Sequence, residues 1–188
     1  MNPEYVNSDH NLLLEFFTPL VSKKLSGMVG ISDPEVSGYL AQMLADFCDA
    51  AQLFKIKDAT GRTLTDVGEM LLESDPVYGP APSFDRERQV RKHIGDFTLF
   101  FAGMFPESIN HYRLRRQRLE NLVDFIRAGK ESYYIVSQFD LLEYTKVAPL
   151  FKKLSEHFED CVFGLNVVKQ DLDLMQHPIT RKTQKLLM

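Results

Sequence analysis

Apolar residues recur along most of the chain at three-and-four spacing, the period of a helix with one buried face. The clearest stretch is Val36, Tyr39, Leu40, Met43, Leu44, Phe47 and Cys48. Ser32-Asp-Pro-Glu35 precedes it as a capping box with proline in the first turn, so a helix is expected from there to about Ala51. Upstream, Leu12, Leu13, Phe16, Phe17 and Leu20 predict a first helix, capped by Ser8 or Asp9 and running through Leu25. Pro19 should bend or split it, and Gly27 and Gly30 punctuate the loop that follows.

The period changes once. Leu53-Phe-Lys-Ile-Lys57 alternates apolar and charged, and Asp58-Ala-Thr-Gly61 reads as a turn, so residues 53–63 should form a short hairpin or an extended loop. Thr65 then caps a short helix over Asp66–Ser74, with Val67, Met70 and Leu71 inward. Asp75–Pro82 carries three prolines and connects.

The next segment tells most about architecture. Arg86–Lys92 holds five charged side chains in seven residues, and Phe97–Phe105 is almost wholly apolar. A helix apolar on every side must be surrounded by protein. Ser83 caps it, and Pro106 ends it at Phe105. A charged helix is expected from about Tyr112 to Ala128 with Gly129 as its stop, then a shorter piece over Lys130–Ser137. One long regular helix should follow, carrying Val147, Leu150, Phe151, Leu154, Phe158, Cys161, Val162, Leu165, Val168 and Leu172. Pro178 ends it, and 178–188 forms a basic tail. The expected fold is therefore all-α, a single domain over residues 1–188 with six to eight helices around a buried central one.

Length agrees with one domain, because 188 residues bury roughly 70% of their unfolded surface and need no disulfide or metal to hold a core. No signal peptide is evident, and no apolar run approaches the ~20 residues of a membrane span. Cys48 and Cys161 both fall on apolar helix faces and read as buried thiols outside any disulfide. A cytoplasmic protein is expected.

The net charge of −4 hides a segregation. Residues 1–75 carry 12 acids against 5 bases, whereas 76–130 carry 6 acids against 10 bases and eight of the ten arginines. Such halves can pair within the fold, pair between subunits, or meet an anionic partner.

Three runs carry a resemblance: Tyr39-Leu-Ala-Gln-Met-Leu-Ala-Asp-Phe47, Ile94-Gly-Asp-Phe-Thr-Leu-Phe-Phe-Ala-Gly-Met-Phe-Pro-Glu-Ser108 and Gly129-Lys-Glu-Ser-Tyr133. Together they look like an all-helical bacterial family of unknown role. The resemblance implies helices and a bacterial cytoplasm, and it supplies no activity, substrate or catalytic residue.

Motifs for chemistry are missing. The five histidines are scattered, none sits in a Glu-x-x-His unit, and there is no Cys-x-x-Cys, phosphate loop, dinucleotide glycine pattern or nucleophile elbow. No metal or cofactor is expected. Asp96 stands where the central helix turns apolar, and a carboxylate there needs a partner. His93, Lys92 or a neighbouring arginine could supply a structural bond; alternatively His93 and Asp96 form a poised pair at the mouth of a pocket. Gly95 and Gly103 on the same helix suggest a crossing helix, or room for an apolar molecule beside Phe97, Phe100, Phe101 and Met104. Tyr133 is a further polar anchor for such a ligand. Arg113, Arg115, Arg116 and Arg118 could meet an anionic partner, or form a solvated face. Residues 32–69 also suggest a winged helix, but the would-be recognition helix carries Asp33, Glu35, Asp46 and Asp49 and no Lys or Arg, which suits DNA poorly.

The expectation is a non-catalytic interaction or assembly protein that self-associates or binds a protein partner. The alternative is a binding protein for a small apolar or amphipathic ligand. An enzyme ranks behind both, and a nucleic-acid binder last.

Overall fold

The structure, a computed structural model, describes residues 3–77, 79, 83–113, 122–140 and 142–175, with side chains at all of these except 3–8, 110–113 and 142. The described residues form nine α-helices and no strand, which is the all-helical architecture expected. By their contacts the residues fall into two compact units, Met1–Leu53 with Phe163–Met188, and Phe54–Val162.

The first unit is built on α1 (Pro3–Lys24) packed against α2 (Pro34–Asp46), with short α3 (Ala50–Leu53) and most of α9 (Phe158–Leu174). Helix α1 starts before Ser8 and Asp9, which therefore do not cap it, and it passes through Pro19 unsplit. Phe17 and Val21 on either side of the proline are buried, and their packing outweighs one missing backbone donor. Beyond Lys24 the helix widens into a π-helical turn, Leu25–Val29, and stops at Gly30, whose φ of 85° favours glycine. Asp33, not Ser32, caps α2, accepting from the Glu35 and Val36 amides with Pro34 in the first turn. The helix ends at Asp46, short of Ala51, because the Asp49 carboxylate takes the Ala51 amide and starts α3. Lys24 closes the far end of α1 on Asp171 of α9 at 2.6 Å.

The second unit opens with the predicted hairpin, reduced to one antiparallel bridge between Lys57 and Thr63. The Asp58 carboxylate shapes its turn, accepting from Thr60 and Arg62, and Gly61 takes φ 85°. Asp66, rather than Thr65, caps α4 (Val67–Glu73). Ser83 caps α5 (Phe84–Met104) through the Arg86 amide, as expected, and thirteen residues from Val90 onward are buried. The apolar half of this helix is thus buried inside the unit. Pro106 begins α6 (Pro106–Arg113) immediately after Phe105.

Two further boundaries differ from expectation, while residues 114–121 of the charged helix expected from about Tyr112, and the basic tail 178–188, lie outside the described residues. Helix α7 (Leu122–Gln138) runs straight through Gly129. That glycine is a contact, not a stop: a Cβ there would overlap the Thr98 hydroxyl and lie 2.5 Å from Phe158 Cζ. The long terminal helix is also two, α8 (Ala148–Glu156) and α9, broken at His157, whose amide closes α8 on the Lys153 carbonyl. Beside the break, the buried Phe158 ring lies 5.9 Å from that of Tyr133.

Candidate functional site

Helices α5 and α7 make the most extensive contact of the second unit, and Asp96 and Thr98 of α5 lie at it. Small residues permit it. A Cβ on Gly95 would overlap one edge of the Tyr133 ring, and Gly129 receives Thr98 and Phe158 in the same way. With Gly95 beside it, the fully buried Tyr133 packs closely on α5, and its hydroxyl donates to Asp96 Oδ1 at 2.8 Å. Lys92, one turn earlier, donates to Asp96 Oδ2 at 2.7 Å. Asp96 is 3% exposed, while the Lys92 side chain reaches solvent at 34%. Each carboxylate oxygen therefore has a donor, one from its own helix and one from the neighbour. A buried carboxylate so held joins two helices through charge-assisted bonds, which are stronger than neutral ones.

The structure thus brings together Asp96 and Tyr133 of the predicted set, with Lys92 as the donor on the same helix. His93 is fully buried, its ring 5.9 Å from Phe97. Phe97, Phe101 and Met104 are buried too, and the Phe97 ring meets that of Phe101 at 4.5 Å and those of Phe54 and Phe125 at 6.3 and 6.4 Å, all tilted or edge-on. Arg113 closes α6, but its side chain and all of Arg115, Arg116 and Arg118 lie outside the described residues.

Sequence reasoning missed a second constellation, at the charged end of α5. The Arg88 guanidinium lies 3.8 Å over the Tyr144 ring and 5.7 Å from that of Phe151, and the Tyr144 hydroxyl donates to Asp85 at 3.1 Å. That bond raises the pKa of the Tyr144 hydroxyl. Burial raises that of Glu87, with Arg91 pulling against it. Arg86 is held by Glu73 at 3.1 Å and by the Lys57 carbonyl at 2.6 Å. The Nε atoms of Arg88 and Arg91 are buried and meet no acceptor among the described residues. Tyr144 could have been singled out only by knowing that its turn packs on α5.

Among the described residues no group of three or more His, Cys, Asp or Glu side chains could hold a metal ion, and no helix is long and apolar enough to cross a membrane. Neither cysteine is in a disulfide; Cys161 is buried, and Cys48 only partly so. No family model, no curated protein and no solved structure matches the chain. What the site can do must therefore be read from its own chemistry.

Proposed function

We propose that this chain is a non-catalytic interaction or assembly protein that associates with itself or with a protein partner. Phe84 carries the reading. It is the first residue of the central helix, a phenylalanine 71% exposed in a chain that buries its other α5 rings to 3% or less. Around it the helix presents arginines rather than a catalytic pair, and the Asp96 carboxylate faces Lys92 and Tyr133. Exposed aromatic rings flanked by arginine are what protein interfaces select. We assign the protein to a bacterial cytoplasm, on the resemblance above and on two unbridged thiols that suit a reducing compartment.

A second reading has one observation in its favour. Ser132 is fully buried, and its hydroxyl makes no hydrogen bond among the described residues. It shares a face of α7 with Phe125, so a small amphipathic ligand beside Phe97 could give the hydroxyl a partner. In that case His93, Asp96, Phe101, Met104 and Tyr133 line the ligand. Native mass spectrometry of the purified chain separates the two. Assembly predicts multiples of the chain mass or a bound protein, and a bare monomer carrying a small molecule would overturn it in favour of the ligand.

A further inference from the structure

Phe84, Arg88 and Arg91 fall at i, i+4 and i+7 on the charged half of α5 and so share one side of that helix. Tyr144 braces Arg88 from behind, fixing a side chain that would otherwise lose several rotamers on binding. Val147, one turn beyond Tyr144, is 38% exposed. The stripe therefore offers an apolar ring and two part-buried arginines, one of them held in place, and calls for carboxylates around an apolar side chain.

The same chain carries such a surface. From Leu25 to Phe54 it has no lysine or arginine, and α1 packs on α2 so that His10 meets Asp46 at 2.8 Å. That contact gathers Asp9, Asp46 and Asp49 at one end of the helix pair, and none of the three meets a lysine or arginine among the described residues. Leu12, one turn on from Asp9, is 61% exposed. The acids and the leucine match the arginines and the phenylalanine in kind. We infer that the α5 stripe docks a second copy of this chain through the acidic end of its α1–α2 pair, an inference that rests on the assembly reading above. A free small anion suits the stripe less well, because Asp85 and Glu87 stand beside the arginines. Two unlike patches can pair reciprocally about a two-fold axis as an isologous dimer; as a heterologous contact they close into a ring or run on as a chain.

Sedimentation velocity on the full chain tests this. The wild type should associate, and more weakly in about 0.5 M salt than in about 0.1 M, since exposed charges are screened. Arg88→Glu with Arg91→Glu should raise Kd at least about tenfold, Asp9→Lys should raise it at least about threefold, and mixing the two variants should restore association. Phe84→Ser, at an exposed position that the fold does not need, should weaken association without altering the thermal melt. An associating wild type that ignores both charge reversals and Phe84→Ser overturns the docking while leaving assembly intact. A wild type that stays monomeric at every concentration overturns assembly itself.

Discussion

Tyr133→Phe removes one oxygen from the centre of the second unit and nothing else. The hydroxyl donates to a carboxylate at 2.8 Å, and both residues are buried to 3% or less. A hydrogen bond to a charged group contributes about 1.5–3 kcal/mol, and here both partners are buried. A destabilisation of about 2 kcal/mol is expected, which for a chain of this size lowers Tm by about 4–8 °C. Thermal melts followed by circular dichroism read it directly. Asp96→Asn should cost as much or more, since Lys92 then loses its counter-charge. Because Tyr133→Phe removes the bond that Asp96→Asn weakens, the double variant should fall short of the sum by about 0.5 kcal/mol or more. A Tyr133→Phe protein that melts within about 1 °C of the wild type would refute the helix-joining role of Asp96.

Two glycines should respond with opposite signs. Gly38 lies inside α2 with nothing within 4 Å of the place a Cβ would take, so Gly38→Ala should stabilise by up to about 1 kcal/mol through helix propensity alone. Gly129 is met by Thr98 and Phe158, and Gly129→Ala should destabilise by about 1–3 kcal/mol through overpacking, in urea titrations of both variants. Burial pushes the Cys161 thiol up to about 12, so iodoacetamide at pH 8 should modify the part-exposed Cys48 first and reach Cys161 only on unfolding. The raised value means that the folded state holds the proton longer. Stability from this group is full below the ordinary value of 9.0 and declines as pH rises towards 12.

Much of the fold is legible along the chain, and the failures have physical causes. The change from charged to apolar between Lys92 and Phe97 marks a helix entering a core, and Ser83 and Pro106 bound it by local rules alone. Asp33 and Ser32 are both good caps, and only the backbone decides between them. Gly129 carries the composition of a stop, but a tertiary contact uses its missing side chain. The apolar period runs unbroken across His157, so nothing in the pattern announces the break between α8 and α9. Asp96 stands out in the sequence as a carboxylate needing a partner. That its partner on α7 is Tyr133, 37 residues away, depends on the crossing that Gly95 permits. Arg88 reads as one charge among several, and only the fold places Tyr144 beneath it.

The central claim is that the polar residues inside α5 serve the fold while its charged first turns form the working surface. Hydrogen exchange measured on the full chain at low and high protein concentration tests both halves at once. Amides of Ile94–Met104 should exchange slowest and identically at the two concentrations, while residues 84–92 and the acidic end of α1 and α2 gain protection as the protein concentrates. Fast exchange across Ile94–Met104, or protection that appears there instead of at Phe84–Lys92, would contradict it.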